Sequence, residues 1–262
     1  MLKDKVAVIY GAGGAVGEAV AHAFAREGAR LFLTGRNRAS VDAVAKEIAS
    51  VGESAQAAQV DALDEEAIDG HLQSVIDRAG RIDISFNAVG IPNTTLQGVP
   101  IVELAPDQFS LPIATYTKSY FLTARQAARR MTEKKSGVIM TVTSTPSRIG
   151  IPMMGGVGPA MAAVEALTRN LSAELVPQGI RVVGLRPHGM PESGTIKEVF
   201  GLHAKAWGIS WDQFHELIAS RTHGRRLTAL AEMANVAAFM ASDQASAMTG
   251  TVVNMSLGTL DD

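Results

Sequence analysis

Residues 6–25 read VAVIYGAGGAVGEAVAHAFA, and their pattern indicates how the rest of the chain folds. Its first five residues, Val6 to Tyr10, predict a β-strand, and the apolar spacing from Val16 to Glu27 predicts a helix. Glycines allow the backbone between them to turn sharply, and the start of the following helix attracts phosphate through its amides and dipole. The stretch therefore predicts the phosphate-binding turn of a dinucleotide-binding βαβ unit, formed by Gly11, Gly13, Gly14, Ala15, Val16 and Gly17.

The same alternation of short strands and helices continues on both sides of this turn. Strands are predicted at 30–34, 55–60, 82–87, 137–143, 180–185 and 251–255, and helices at 40–50, 65–79, 106–134 and around 160–175. Regular alternation of this kind is typical of parallel sheets covered by helices on both faces. We therefore expect one doubly wound α/β domain of the Rossmann type spanning residues 1–262, with a parallel sheet of seven strands.

One connection interrupts the alternation. Residues 188–226 follow the sixth strand and are far longer than an ordinary strand-to-helix connection. They contain helical segments with Trp207, Trp211 and Phe214 at spacings of four and three. Because ligands of open α/β sheets bind at the carboxyl ends of the strands, we interpret this insertion as a lid over the site. The alternative is an insertion that packs only on itself.

Composition excludes several classes of function. The chain has 47% hydrophobic and 19% charged residues with a net charge of -2, which predicts a soluble globular protein without a basic surface for nucleic acid. It has no cysteine, so disulfides and thiolate sites are excluded. The sequence has neither a signal-peptide pattern nor a membrane-spanning stretch, and we expect a cytoplasmic protein.

The end of the second strand bears on the choice of cofactor. NAD-binding proteins commonly place an acidic residue there, because its carboxylate accepts hydrogen bonds from the ribose hydroxyls. This chain instead has Thr34-Gly35-Arg36-Asn37-Arg38. A guanidinium suits a 2′-phosphate, so we predict NADP(H) as cofactor, bound by Arg36 with help from Arg38. The alternative is that both arginines are solvated residues at the start of a helix.

With these residues the sequence resembles the short-chain dehydrogenase/reductase family over its whole length. Gly11-x-x-x-Ala15-x-Gly17 is similar to the glycine motif of the family, with alanine for its middle glycine. The resemblance implies that Asp61, in Val60-Asp61-Ala62, binds the adenine amine. It also implies that Asn87-Ala88-Val89-Gly90 supports the sheet and lines the cofactor site, so Ala62, Asn87, Ala88 and Gly90 join the predicted cofactor residues.

The catalytic motifs depart from the family. The resemblance implies a serine after the fifth strand, matched by Ser144, followed by a Tyr-x-x-x-Lys pair in which the lysine lowers the pKa of the tyrosine. Val157 and Met161 occupy those two positions, so this chain is an atypical member without the pair. An asparagine of the fourth helix is replaced by Tyr116, which either replaces the missing donor or fills a packing gap.

His188, in Pro187-His188-Gly189, is the remaining candidate, because an imidazole titrates near neutral pH; the alternative is a solvated or capping residue. The predicted catalytic set is thus Ser144, Tyr116 and His188. His203, His215 and His223 lack the spacing of metal ligands, and we predict no metal site.

Three functions remain open. The first is an NADPH-dependent reductase acting on a small carbonyl or imine-like substrate that needs no protein acid, and two tryptophans in the lid favour an apolar pocket. The second is a catalytically silent NADP(H)-binding sensor or partner subunit. The third is a cofactor-free lyase, which would not explain why the predicted cofactor residues are present together. We expect a homotetramer, since Phe121, Leu122, Ala124, Ala127 and Ala128 offer a small-residue surface for helix pairing.

Overall fold

The computed structural model describes residues 1–261 and contains a parallel sheet of seven strands. The strands lie in the order β3-β2-β1-β4-β5-β6-β7. Their bounds are β1 Val6–Tyr10, β2 Arg30–Gly35, β3 Ala55–Gln59, β4 Ile84–Asn87, β5 Gly137–Val142, β6 Ile180–Pro187 and β7 Val252–Met255. The predicted fold is therefore confirmed, with strand ends that differ from the predictions by no more than two residues.

Helices cover both faces of the sheet. The bounds are α1 Ala15–Arg26, α2 Arg38–Ser50, α3 Glu65–Ala79, α4 Pro106–Lys134, α5 Val157–Leu175, α6 Gly194–Trp207, α7 Trp211–Ser220 and α8 Leu230–Ala241. One core cluster contains buried residues of α1, α2 and α8, and a second contains those of α3, α4 and α5. The chain order reverses between β1 and β4, so the carboxyl ends of these two strands open a crevice for a ligand.

Helix α8 is absent from the sequence-based prediction. Its apolar residues are spread over most of its surface because it packs against both α1 and β6. A helix that is apolar nearly all round has no amphipathic period to detect. Burial on more than one side therefore removed the signal on which the prediction depended.

The long insertion forms α6 and α7, and both readings of it are correct in part. Val199, Phe200 and Phe214 belong to a small core of its own. Several of its apolar side chains also line the large cavity described below, so the insertion covers the site. Trp207 and Trp211 do not share a helix as their spacing suggested, because α6 ends at Gly208, whose φ of +68° favours glycine.

The prediction that α4 offers a small-residue surface for helix pairing is wrong. Only Phe121 is exposed (41%), with the Arg125 guanidinium over its ring. The other four residues face the protein core, because they lie on the side of α4 that packs toward the sheet: Leu122, Ala124, Ala127 and Ala128. Within residues 1–261 no helix has the length and apolar character needed to span a bilayer.

Candidate functional site

The glycine-rich turn closes tightly between β1 and α1. The Ala12 amide donates to the Thr34 carbonyl at 2.9 Å, and Gly14 donates to Gly11 at 3.1 Å. Gly11 has a φ of +73°, and a Cβ at Gly17 would overlap the Gly11 carbonyl oxygen. Glycine is thus required at both positions, and the turn presents the start of α1 as a cradle for phosphate.

The basic residues after β2 have separate roles. Arg36 is exposed, lines the cavity and forms no ion pair within residues 1–261. Arg38 lies within α2 and is paired with Asp42 through Nε at 2.9 Å, so the predicted assistance of Arg38 to the cofactor is not supported. The Asn37 side chain accepts from the Ala39 and Ser40 amides and caps α2. Arg36 alone offers a free guanidinium to a ribose phosphate.

A single cavity of about 720 Å³ extends from this turn to the lid. Most of the predicted cofactor residues line it, namely Gly11, Gly13, Gly14, Ala15, Val16, Arg36, Asp61, Ala62, Ala88 and Gly90. Ser144, Tyr116 and His188 line the same cavity. The structure therefore brings the predicted cofactor set and the predicted catalytic set to one continuous space.

Two predicted cofactor residues lie outside the cavity wall. Gly17 packs beneath the turn, and Asn87 is buried, with Nδ2 donating to Thr123 Oγ1 and Oδ1 accepting from the Val89 amide. Both residues support the segments that form the cavity wall without lining the cavity themselves. Sequence reasoning missed Tyr120, whose buried hydroxyl lies 3.1 Å from the Asn87 carbonyl and accepts from the Val142 amide, joining the ends of β4 and β5.

The two positions that the family resemblance assigns to the Tyr-x-x-x-Lys pair carry packed apolar side chains. Val157, Ala160 and Met161 form a buried cluster on α5, and Tyr116 of α4 packs against it. Burial raises the pKa of Tyr116, and a hydrogen bond with the Ile91 backbone opposes part of this rise. Tyr116 therefore stays a neutral phenol at physiological pH and fills the space beside the cluster.

His188 follows β6 and is held as a neutral imidazole. Burial lowers its pKa to about 4. The Gly189 amide donates to Nδ1 at 2.7 Å, which leaves the ring proton on Nε2. Nε2 has no partner within residues 1–261, and it is not among the side-chain atoms closed off from solvent. His188 thus offers a fixed N–H donor rather than an acid that titrates near neutral pH.

Ser144 lies on a loop that is anchored by a buried carboxylate, which no sequence pattern indicated. Glu165 of α5 accepts from Arg186 Nε at 2.8 Å, from Thr143 Oγ1 at 3.2 Å and from Ser147 Oγ at 2.5 Å. Two of these partners flank Ser144. The ion pair and its hydrogen bonds therefore fix the loop that carries Ser144.

The part of the cavity wall beside α6 contains three hydrogen-bonded polar residues that the sequence did not indicate. His203 on α6 lies within 3.3 Å of Gln97, whose Nε2 donates to Asn93 at 2.7 Å. These three residues are 2–3% exposed and line the cavity. Their spacing along the chain gives no pattern, because α6 and the loop after β4 meet only in the folded protein.

One group of potential metal ligands also appears only in the fold. Glu18, His22 and Glu47 place their ligand atoms within 4.8 Å of one another on the surface of α1 and α2. Glu47 is exposed, and His22 Nε2 lies 3.5 Å from its carboxylate. The cluster lies apart from the cavity, and an exposed contact between His22 and Glu47 accounts for it.

Comparison with known proteins agrees with this geometry. Residues 11–259 match the profile of the family described as enoyl-(acyl carrier protein) reductase. A short-chain type dehydrogenase/reductase from Mycobacterium marinum superposes with a TM-score of 0.84 at 27% identity, covering 100% of this chain and 97% of that one. The chain belongs to the short-chain dehydrogenase/reductase family.

Other relatives are similarly complete matches. An uncharacterized oxidoreductase of Bacillus subtilis is 31% identical over 95% of this chain and 88% of its own length. The 7alpha-hydroxysteroid dehydrogenase of Escherichia coli is 26% identical over 100% and 96%. NAD+-bound xylitol dehydrogenase superposes with a TM-score of 0.92 at 27% identity, covering 98% and 99%. This chain is therefore an oxidoreductase of the family, built to bind a nicotinamide cofactor.

Proposed function

We propose that the protein is an NADPH-dependent reductase of conjugated carbonyl compounds, in which residues 1–262 work as one domain. The observation that carries the proposal is the continuous cavity. It joins Arg36 to Ser144 and His188 while Val157 and Met161 leave no ionisable group at the usual place for the acid. When bound, the cofactor supplies a hydride.

The side chains around the reacting centre are suited to hydrogen bonding rather than to proton transfer. Ser144 has no side-chain capping bond to the turn that follows it, and its hydroxyl is a donor for a substrate oxygen. His188 adds an N–H donor that stays neutral above about pH 4. Two neutral donors stabilise charge that develops on a carbonyl oxygen without releasing a proton to it.

This arrangement favours an enone over a simple ketone. Reduction of an enone at its β-carbon places negative charge on an enolate oxygen, which hydrogen bonds can stabilise and which water can protonate afterwards. Reduction of a simple ketone creates an alkoxide, which depends far more on a protein acid. Tyr116 is held by packing against the Val157 cluster, so we propose that it mainly shapes the cavity and acts at most as a secondary hydrogen-bond donor.

Arg36 supports NADP(H) as the cofactor. Its guanidinium is unpaired at the end of β2, where no acidic side chain would repel a phosphate. A silent NADP(H)-binding sensor or partner subunit is the second candidate, and the packed Val157 cluster favours it, because this part of the wall carries no reactive group.

One experiment separates the two candidates. Calorimetric titration with NADPH and NADH measures cofactor preference, and loss of NADPH absorbance with 4-phenyl-3-buten-2-one measures turnover. We expect at least tenfold tighter binding of NADPH, about 1.4 kcal/mol, with the saturated ketone as product. Binding without turnover of this or any substituted enone would support the silent protein and refute the reductase.

We expect a homotetramer. Family resemblance alone supports this expectation, because the small-residue surface predicted on α4 is buried within the chain. Light scattering at micromolar concentration should return four times the 27.6 kDa chain mass. A solution of monomers would contradict this expectation.

A further inference from the structure

The lid end of the cavity is built around one acidic side chain. Three of the described residues that line the cavity carry a full charge, Arg36, Asp61 and Glu198. Arg36 and Asp61 lie at the cofactor end, after β2 and β3. Glu198 lies on α6 and is half-buried. The lid end therefore has a carboxylate and no cationic side chain lining it to balance its charge.

Glu198 is oriented by one of its two oxygens and leaves the other free. Oε1 accepts from the Asn93 amide at 3.3 Å and from Thr94 Oγ1 at 2.5 Å. Oε2 forms no hydrogen bond within residues 1–261 and is not among the side-chain atoms buried from solvent. The carboxylate is thus held in place by neutral donors and retains an oxygen that can accept from a ligand.

The neighbouring polar chain adds an unpaired lone pair that is closed off from solvent. Asn93 Nδ2 donates to the Ile91 carbonyl, so Asn93 Oδ1 accepts from Gln97 Nε2, and Gln97 Oε1 faces His203 Nε2. Because an amide oxygen only accepts, Nε2 of His203 carries the ring proton. Burial lowers the pKa of His203, so its Nδ1 is a bare acceptor, and this atom is buried without a partner.

A bare imidazole lone pair and an unbalanced carboxylate in one apolar wall create a negative potential there. Phe200, Phe214 and Ile218 line the same end and lower the local dielectric constant. In such surroundings the attraction between opposite charges is stronger than in water. A cationic group that donates a hydrogen bond is the chemistry that these features complement.

We propose that Glu198 forms a subsite for a protonated amine at the end of the substrate remote from the reacting carbon, with Oε2 as the acceptor. This inference rests on the proposed function, since it takes the Ser144 end of the cavity as the reacting end. It adds a substrate class, namely carbonyl compounds with an apolar body and a distal basic amine. No covalent step is involved.

The test uses a matched pair of enones. One is 4-[4-(dimethylaminomethyl)phenyl]-3-buten-2-one, which carries a protonated amine, and the other is its neutral isostere with an isobutyl group. The hydroxymethyl analogue separates charge from hydrogen bonding. Calorimetric titration of each compound into the protein with NADP+ present gives the dissociation constants without turnover.

We expect the amine to bind about tenfold more tightly than the isobutyl compound, with the hydroxymethyl compound between them. Glu198→Gln retains an oxygen for Asn93 and Thr94 but removes the charge, and it should reduce the preference to less than about twofold. Glu216→Gln, an exposed residue of the same lid that does not line the cavity, is the control with the same change in net charge and should leave the preference intact.

Equal or tighter binding of the isobutyl compound to the unmodified protein would overturn the subsite, whether or not Glu198→Gln folds. Retention of the preference in folded Glu198→Gln would remove Glu198 from it. Because these titrations need no catalysis, absence of NADPH turnover would refute the proposed reductase and leave the binding result to decide the subsite separately.

Discussion

Two strand-to-helix junctions lie at the carboxyl edge of the sheet, one from β1 to α1 and one from β5 to α5. They differ in how far their residues agree with the motifs of the family. The first retains the tight glycine turn with Gly11 at positive φ and Gly17 packed beneath it. The second has Val157 and Met161 where proton-transfer groups belong by family resemblance, packed with Tyr116 in an apolar cluster.

The difference shows which kind of function depends on the backbone and which on side chains. Phosphate binding at the first junction depends on main-chain amides and on the absence of Cβ atoms, so several side chains can change without loss. Proton transfer at the second junction depends on the pKa of individual side chains. Replacing two of them would remove that chemistry while leaving the fold intact.

The strongest prediction concerns the second junction, between β5 and α5. Unactivated ketones such as cyclohexanone should be reduced very slowly, because loss of general acid catalysis removes a factor of about 10² to 10⁴. The triple variant Tyr116→Asn, Val157→Tyr and Met161→Lys should raise kcat/KM for cyclohexanone by about 10² or more.

A matched triple variant controls for shape. Tyr116→Asn, Val157→Phe and Met161→Leu introduces side chains of similar size without ionisable groups and should stay as slow as the unmodified protein. Fast reduction of cyclohexanone by the unmodified protein would show that the catalytic group lies elsewhere.

The next effect tests the first junction through packing. In Gly17→Ala, the new Cβ would overlap the Gly11 carbonyl oxygen, so the free energy of unfolding should fall by about 3 kcal/mol. Gly14→Ala is the control, because its Cβ would meet only the Gly11 carbonyl at 3.5 Å, and it should change stability by about 0.5 kcal/mol or less. Urea denaturation without cofactor measures both, and similar losses in the two variants would contradict the packing argument.

A smaller effect concerns charge at the first junction. Arg36→Ala should weaken NADPH binding about tenfold while NADH binding hardly changes, since the proposed partner of the guanidinium is the 2′-phosphate, which NADH lacks. Arg38→Ala should leave both affinities almost unchanged because Arg38 is paired with Asp42. Calorimetric titration with both cofactors measures these affinities. An Arg36→Ala protein that still prefers NADPH would refute the assignment of Arg36 to the 2′-phosphate.

The smallest effect distinguishes packing from catalysis at Tyr116. Tyr116→Phe keeps the ring against the Val157 cluster and removes only the hydroxyl. We expect kcat for the enone to change by less than about threefold, whereas Ser144→Ala should lower it about tenfold by removing one donor to the substrate oxygen. A drop of about 10² or more in Tyr116→Phe would make Tyr116 the proton donor.

Sequence reasoning succeeded where the information is local. The strand pattern and the glycine spacing of the turn can each be read from a few neighbouring residues, and the structure confirms the strands and the tight turn. The absence of a Tyr-x-x-x-Lys pair at Val157 and Met161 stays a prediction from family resemblance. Sequence reasoning failed for α8, whose burial on several sides hides its period, and for α4, where small apolar residues were taken as surface but pack toward the sheet. A face that packs within the subunit and a face that pairs with another subunit have the same composition.

Residue types within single elements were enough to predict the fold class, which the structure confirms. The phosphate-binding role of the glycine turn and the absence of the usual acid were predicted in the same way and stay predictions. Three further properties became visible only in the folded protein: Arg38 is paired with Asp42, His188 is a neutral donor, and Glu198 lies at the lid end of the cavity with a free oxygen. These properties depend on burial and on partners from distant segments, and distances between elements are set only when the helices and the sheet pack together.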